Sequence, residues 1–517
     1  MLRQEIKNLT EKAVKKLYRV EAEVKIGQPE NKEFGDYSTN VAMLLKKNPQ
    51  EIADSIKSHI LEKIEAKNCF VNFFISKGYL QKQVGEIIKQ KDSFGSLKAG
   101  KNQKVSVEFI SANPTGPLTL GNGRGGFCGD VLANVLAKAG YKASREYYIN
   151  DRGEQVVKLG HSVLGDEQAV YKGQYIEELR GKIKGVKETG ATRVGGKAAK
   201  IILEKMIKPT VKKMGIKFDV WFSEKGLYEK SEVKKILAVI KKNNLTYEKE
   251  KAIWFKSAQF GDDKDRVLIK EDGEETYFLS DIAYLKNKFQ RGFDKLIFFW
   301  GADHYGYVAR LKAAAEALGY KKEQIDIIVM QLVRLLDAGK EVKMSKRSGI
   351  YVTIDELIGE VGLDVARFFF LTRSPGSHLN FDLDLAKEQS EKNPVYYVQY
   401  AHARICAILR KFGKSEIRNP KSETNSKLLN HESELNLIKQ LIRLPEIIED
   451  TAKDYQVQRL PQYATDLAAA FHAFYRDCQV ISNDKNLTQT RLGLISATKI
   501  VLKNTLDLMG ISAPEKM

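Results

Sequence analysis

GNGRGG (Gly121 to Gly126) and KMSKR (Lys343 to Arg347) are the two runs in which this chain concentrates groups suited to phosphate. In the first, glycines let a ligand approach backbone amides, and amides at a helix N-terminus favour an anion. In the second, Lys343, Lys346 and Arg347 follow the turn-like DAGK (Asp337 to Lys340) and surround serines. Three cations on one short loop can meet the negative charge that develops on a leaving pyrophosphate. A lone KxxKR is usually a solvated loop. Paired with an upstream glycine loop, one in each half of a doubly wound fold, it points to nucleotidyl transfer.

Two other readings of the glycines compete. GNGRGG satisfies G-x-G-x-x-G, and Glu146 lies 20 residues past its last glycine, where a dehydrogenase would hold the ribose of a dinucleotide. In that fold the glycines follow the strand almost at once, whereas SANPTGPLTL (Ser111 to Leu120) intervenes here and its prolines keep it extended or turned. The blandest reading is a glycine turn that only packs a helix on a sheet.

The elements that would hold these runs can be read from periodicity. VSVEFI (Val105 to Ile110) is β-rich, the proline loop and glycines follow, Val131 to Ala139 has helical period, and ASREYYI (Ala143 to Ile149) reads as the next strand. That is a βαβ unit of a parallel sheet. KLIFFWGA (Lys295 to Ala302) and IDIIVMQLV (Ile325 to Val333), separated by an Ala-rich helix over Val308 to Leu318, supply the other half of a Rossmann-type doubly wound sheet. Residues 1–100 mix helical pieces, among them a face of Leu2, Ile6, Leu9, Ala13 and Leu17, with the apolar run CFVNFFIS (Cys69 to Ser76), as in a small α+β domain. The Lys- and Gly-rich stretch at about 150–250 reads as an insertion within a catalytic domain of 101–390, with helical period around Ala198 to Met214. The chain is helical in pattern over 391–517, broken by an exposed loop at Lys411 to Lys427. The fold class expected is therefore α/β and multidomain.

Composition narrows the function classes. With 517 residues, several domains are expected. Lys and Arg number 85 against 66 Asp and Glu, a net charge of +19 that suits a polyanionic partner. Cys69, Cys128, Cys406 and Cys478 form no CxxC, which argues against a zinc ribbon or a disulfide framework, and they are expected as buried thiols. No apolar stretch reaches membrane-spanning length and the N-terminus lacks a signal-peptide core, so a cytoplasmic protein without a membrane partner is expected.

KMSKR, VEFISANPTGPL (Val107 to Leu118), GDYSTNVA (Gly35 to Ala42), YINDRGEQ (Tyr148 to Gln155), WGADHYGY (Trp300 to Tyr307), NPVYYVQYAHAR (Asn393 to Arg404) and LDLMGISAPEKM (Leu506 to Met517) together resemble the arginyl-tRNA synthetases, class I enzymes with a Rossmann domain. The resemblance covers essentially the whole chain. It departs at one place: where the family carries two histidines, this chain has Thr119, Leu120, Gly121 and Asn122. Those histidines donate hydrogen bonds to ATP phosphate oxygens as charge builds in the transition state, and a hydroxyl and an amide NH2 can donate too. The same Thr-x-Gly-Asn pattern resembles that of bacterial tryptophanyl-tRNA synthetases. The substitution raises the alternative of a tRNA-binding relative without ligase activity, against which both KMSKR lysines and the substrate residues speak.

The resemblance implies ligation of L-arginine to tRNA-Arg through an arginyl-adenylate, consuming ATP, accompanied by Mg2+ without a protein metal site, and releasing AMP and pyrophosphate. It implies that Thr119, Asn122, Lys343 and Lys346 are catalytic, that Gly121, Gly123, His304, Met344 and Ser345 contact ATP, and that Glu108, Asn113, Tyr277 and Asp281 line an arginine pocket. Of these, Tyr277 and Asp281 are given the guanidinium and Asn113 the amino-acid backbone. A planar cation with five donors calls for carboxylates in a fixed plane. The N-terminal domain is implied to touch the tRNA elbow and the helical C-terminal domain to bind the anticodon. There Tyr396, Tyr400 and Arg404 are candidates for stacking on unstacked bases, though tyrosines at this spacing serve equally as core. A monomer is expected.

Overall fold

The computed structural model describes residues 1–183, 190–342, 353–412 and 428–517. Lys343, Met344, Ser345, Lys346 and Arg347, with most of the loop expected at 411–427, lie outside the described residues.

Helix Leu2–Tyr18 opens the chain, followed by an antiparallel sheet of β1 (Tyr37–Thr39), β2 (Leu61–Lys67) and β3 (Phe70–Ile75) in the order β1-β3-β2, and then helix Lys77–Gln90. The β2–β3 hairpin turns on Asn68 and Cys69, both at positive φ (51° and 64°), the conformation in which a two-residue turn follows the twist of its strands. That turn exposes Cys69, contrary to expectation, whereas Cys128, Cys406 and Cys478 are buried. In the first helix Leu2, Ile6 and Ala13 face inward as expected, but the buried stripe continues through Thr10 and Val14 and leaves Leu17 exposed.

The central sheet begins with β4 (Lys104–Glu108), β5 (Lys142–Ile149) and β6 (Val220–Ser223). A separate antiparallel sheet of β7 (Thr246–Lys249), β8 (Ala252–Phe255) and β9 (Arg266–Ile269) intervenes before β10 (Lys295–Gly301) and β11 (Ile325–Met330) complete it. Its order is β11-β10-β4-β5-β6, every pair parallel. The chain winds outward from β4 in one direction and, from β10, in the other. Connections leaving β4 and β10 therefore part and open a crevice beyond their carboxyl ends, where such sheets bind ligands.

Two expectations about this sheet change. The 150–250 stretch is not only an insertion, since it carries the edge strand β6, and its helices Glu154–Leu164 and Ala191–Ile202 form the crossover from β5. Those helices touch where Gly160 meets the Ala191 carbonyl and Gly195 meets the Val156 carbonyl, with no room for a Cβ at either glycine. IDIIVMQLV is two strands, because the Gln331 amide donates to the Pro375 carbonyl (3.0 Å) and the chain turns into a third small sheet. That sheet comprises β12 (Val333–Asp337), β13 (Lys340–Glu341) and β14 (Leu379–Asp382).

The glycine cluster is neither loop nor turn. Helix Leu120–Lys138 starts eleven residues before the apolar period suggested, and it takes in all of GNGRGG. Glycine disfavours helix by about 1 kcal/mol per residue. Close packing offsets that here: a Cβ at Gly123 would lie 2.5 Å from Ile354 Cδ1, one at Gly125 2.7 Å from Met330 Cε, and one at Gly126 2.6 Å from Met214 Cε. Gly121 differs, with only the Thr119 hydroxyl oxygen near it, at 3.9 Å.

Beyond β14 the described chain is helical, with Pro394–Phe412, Glu432–Leu441, Leu444–Asp454, Arg459–Asp477 and Lys485–Met509 forming a bundle. The N-terminal domain docks on it. Arg3 pairs with Glu449 (2.6 Å) and Asp450 (2.7 Å), the Tyr37 hydroxyl donates to buried Glu446 (2.9 Å), and Lys439 pairs with Asp36 (2.6 Å).

The glycine contacts predict opposite outcomes for two neighbours. Gly123→Ala should cost roughly 1–3 kcal/mol of stability through the clash with Ile354, whereas Gly121→Ala should cost nothing or stabilise. Denaturant unfolding of both variants checks this, and equal losses would contradict it.

Candidate functional site

Thr119 caps the helix Leu120–Lys138, so the helix N-terminus and its acceptor-free first amides lie at the end of the loop that leaves β4, beside the β4–β10 crevice. The backbone leading there is forced: Ile110 (φ 65°) and Ser111 (φ 38°) lie in the left-handed region that a β-branched residue avoids. Hydrogen bonds hold the loop in that shape. The Ser111 amide donates to the Phe109 carbonyl (2.9 Å), the Tyr148 amide to the Ser111 hydroxyl (3.0 Å) and the Tyr147 hydroxyl to the Ala112 carbonyl (2.9 Å).

The Thr119 amide (3.0 Å) and hydroxyl (2.9 Å) both donate to Asn122 Oδ1. An amide N–H can only donate, so the atom facing it is the oxygen and the Asn122 NH2 points elsewhere. Thr119, expected as a direct donor to phosphate, thus spends its hydroxyl proton on orienting Asn122. Gly123, expected to cradle the nucleotide, has its amide in the helix (to the Thr119 carbonyl, 2.9 Å) and its Cα against Ile354, so it acts in packing. Gly121 remains open.

Thr353 forms an antiparallel bridge with Thr119, and the Ile354 amide donates to the Leu118 carbonyl (3.1 Å). Thr353 is the first described residue after KMSKR, and it lies directly beside the cap of the helix Leu120–Lys138. His304 lies across the crevice in the turn after β10, exposed, with its ring 6.2 Å from Trp300 and 5.9 Å from Tyr307.

On the other side of β4 the carboxyl ends of β4, β5 and β6 meet helix Tyr277–Gln290 around an acidic pocket. Asp281 makes no hydrogen bond or ion pair with a described side chain; burial first, then repulsion from Glu224 and Glu108, raises its carboxyl to about 7 despite Arg310. Glu224, almost fully buried, is likewise raised to about 7 by burial, against the Ser280 hydroxyl (3.2 Å) and Arg152. Its Oε2, the Tyr148 hydroxyl and Arg152 NH1 are buried without partners. Buried polar atoms left unsatisfied are costly and rare, so three of them in residues beside one another set this region apart.

The remaining expected residues are placed less simply. Tyr277 and Asp281 do share a face, since the helix begins at Tyr277. Yet Tyr277 is 51% exposed and its hydroxyl accepts from the Glu154 amide (3.1 Å), which makes it the pocket rim instead of its floor. Glu108 has its Oε2 occupied by Lys288 (2.8 Å) and the Tyr284 hydroxyl (2.6 Å), leaving Oε1 beside the Ser111 hydroxyl at 3.4 Å. Asn113 is exposed at the loop, its side chain without a hydrogen bond to a described residue. Glu146 is fully buried and clamped by both Arg291 nitrogens (2.7 and 2.8 Å), so it cannot serve a dinucleotide ribose. Far away, Tyr396 and Tyr400 stack nearly parallel (6.3 Å, 9°), and Arg404 donates to the Tyr475 hydroxyl (2.7 Å), while Tyr397 and His402 turn inward. These aromatics thus divide between an outward and an inward helix face.

Family models match along the chain: "Arginyl tRNA synthetase N terminal domain" over residues 2–75, "tRNA synthetases class I (R), catalytic domain" over 83–188 and 174–370, and "DALR anticodon binding domain" over 398–517. The arginine–tRNA ligase of Carboxydothermus hydrogenoformans is 44% identical over 95% of this chain and 93% of its own length, and that of Bacillus subtilis is 44% identical over the same shares. The chain belongs to the arginyl-tRNA synthetases. The arginyl-tRNA synthetase of Thermus thermophilus shares the fold, with a TM-score of 0.80 at 21% identity and full coverage of both chains.

In this arginyl-tRNA synthetase, sequence reasoning missed Glu224, Tyr148 and Arg124. Glu224 follows a short strand in the stretch taken for an insertion, so nothing marked it as part of the sheet's carboxyl edge. Arg124 lay hidden inside GNGRGG; it is fully buried and donates to the carbonyls of Gln331 (2.9 Å) and Ser374 (2.7 Å), tying the helix to both neighbours.

The raised carboxyls carry a stability cost with a definite sign. Between the ordinary carboxylate range and about pH 7 the folded state holds more protons than the unfolded one, so stability falls as pH rises through that window. Asp281→Asn and Glu224→Gln should therefore raise the melting temperature of the ligand-free protein by a few degrees at pH 8 and by much less at pH 5. A pH-independent change would show that these groups are ionised throughout.

Proposed function

We infer that this chain ligates L-arginine to tRNA-Arg in two steps, as a cytoplasmic monomer with ATP and its Mg2+ as co-substrate. The acidic pocket at the ends of β4, β5 and β6, next to a helix N-terminus at the sheet's switch point, carries the inference: it pairs a site for a cation with a site for phosphate at the distance of one loop. No helix among the described residues is long and apolar enough to cross a membrane.

Asp281 and Glu224 face the guanidinium, with Tyr277 at the rim. Glu108 and Asn113 serve the α-amino and α-carboxylate groups. A substrate cation restores both raised carboxyls to their ionised form and gives the orphaned Glu224 Oε2 a donor, so a ligand without that fork of N–H groups leaves them unpaired. That penalty rejects lysine without a separate editing site.

On the phosphate side Asn122, held by Thr119, offers its NH2 to ATP oxygens, with the Gly121 amide beside it and His304 toward the adenosine. Lys343 and Lys346, with Met344 and Ser345, act over the pyrophosphate. The arginine carboxylate attacks the α-phosphorus in line, pyrophosphate leaves with the electron pair of the broken P–O bond, and the terminal ribose hydroxyl of the tRNA then displaces AMP from the activated carbonyl. Positioning and charge stabilisation suffice, with no covalent enzyme intermediate. The net charge of +19 suits the tRNA, and Tyr396, Tyr400 and Arg404 offer it a stacking face.

Arginine-dependent exchange of pyrophosphate into ATP, run with and without cognate tRNA, is the direct test; no exchange under either condition would leave a tRNA-binding relative without ligase chemistry. Lys346→Ala should lower the exchange rate at saturation by on the order of 10²-fold or more with little change in arginine KM. Asp281→Asn should do the reverse, raising arginine KM by about 10²-fold or more through loss of a desolvated charge pair. Unchanged arginine kinetics in that variant would move the pocket elsewhere.

A further inference from the structure

Behind the acidic pocket lies a second set of charges that neither the phosphate chemistry nor the guanidinium contacts use. Lys288 is completely buried, which for an ammonium is tolerable only with partners in place. Its Nζ lies 2.8 Å from Glu108 Oε2, 3.4 Å from Glu146 Oε1 and 3.0 Å from the Ser106 hydroxyl, and sits over the rings of Tyr284 (4.7 Å) and Phe298 (4.8 Å). Glu146 in turn is clamped by Arg291, and Tyr284 bonds to both carboxylates. Tyr284 is the wall between the two sets: its ring packs on Tyr148 (4.5 Å) and Phe222 (4.6 Å), and its hydroxyl reaches Glu108.

Resting on the arginine reading of the pocket, we propose that Lys288 is a positioning residue for substrate specificity: by pairing with one oxygen of Glu108 it fixes that side chain and offsets part of its charge, so that Asp281 and Glu224 are the carboxylates left to the guanidinium while Glu108 keeps its other oxygen for the α-amino group. Glu146 competes with Glu108 for the same ammonium and so tunes that offset.

The physical reason lies in the mutual repulsion of these closely spaced acids. Asp281 already feels Glu108 as well as Glu224, with Arg310 as the opposing cation, and Glu224 feels Asp151 against Arg152. Tyr148 and Tyr228 border the same space. Without Lys288 beside Glu108, ionising Asp281 would cost more still, and the already raised carboxyl would keep its proton to higher pH. Lys288 and Arg291 together match the charges of Glu108 and Glu146, while Glu146 itself, which burial alone would raise, is carried below its usual range by Lys288 and Arg291. The rear set is therefore neutral, and the negative field of the pocket comes from the two front carboxylates.

The test is the pH profile of kcat/KM for arginine in pyrophosphate exchange, with cognate tRNA present, for the full-length wild type, Lys288→Met and Glu146→Gln. Lys288→Met should raise arginine KM about tenfold or more, leave ATP KM unchanged, and move the acid limb of the profile up by about one pH unit. Glu146→Gln keeps size and shape and releases Lys288 to Glu108, so it should move that limb down; it also stands in should Lys288→Met fail to fold. Variants that fold and melt lower, yet keep the wild-type arginine KM and acid limb, would overturn the proposal by making the rear set structural only. Wild-type protein without arginine-dependent exchange would instead overturn the ligase reading and this inference with it.

Discussion

The helix Leu120–Lys138 depends on close packing around its glycines. Its first turns are glycine-rich, and isolated they would not hold helical structure. What stabilises them is the approach of Phe109, Met214, Met330 and Ile354 into the space that missing side chains leave. Its polar residues then reach outward. Arg124 bonds to the chain between β11 and β12 and to Ser374; Asp130 pairs with Arg145 of β5 and with buried Arg367; Asn134 donates to the carbonyl of Leu508. Arg367 also donates to the Met509 carbonyl (2.8 Å), so side chains of the catalytic domain satisfy carbonyls at the end of the last helix of the bundle. One element thus fixes the cap at Thr119, the path of the sheet and the seat of the C-terminal domain.

Charge inside the catalytic domain is handled in two layers with opposite purposes. The rear layer of Glu108, Glu146, Lys288 and Arg291 is paired, with short contacts throughout, and it can be buried because its charges compensate. The front layer of Asp281 and Glu224 is left incomplete. Its cost is the raised carboxyls and the unpartnered Glu224 Oε2, which a group bringing hydrogen-bond donors would relieve. The strained backbone at Ile110 and Ser111 lies beside this layer and holds the loop between β4 and the helix Leu120–Lys138 in a shape the chain would not adopt by local preference.

The outer domains meet each other as well as the centre. Arg3, Tyr37 and Lys439 lock the N-terminal sheet domain to the helical bundle, Gln81 donates to the Leu429 carbonyl (2.9 Å), and Asn504 reaches the carbonyl of Lys91 (3.0 Å). A tRNA held by both domains would therefore meet a surface whose two parts are joined by ion pairs and buried hydrogen bonds, with Tyr396, Tyr400 and Arg404 on an outward face of the bundle.

By itself the sequence determined what is written in local order. Apolar, β-forming runs gave β4, β5 and β10 to within two residues, and runs such as VEFISANPTGPL and NPVYYVQYAHAR carried the family. Asp281 and Asn122 were named from the resemblance, Asn122 at the one place where the chain departs from it. Only the tertiary structure decided the rest, because it depends on contacts between residues distant in sequence. That GNGRGG is helix follows from Ile354, Met330 and Met214, none of which is near it in the chain. That Thr119 orients Asn122 is a hydrogen-bond geometry, and a residue type does not say which of its atoms is already engaged. Glu224 joined the acidic pocket because β6 pairs with β5, and Lys288 because one helix crosses behind two strands. A carboxylate or an ammonium looks the same in sequence whether it meets water or another charge, and burial beside a partner is what gives each of these its role.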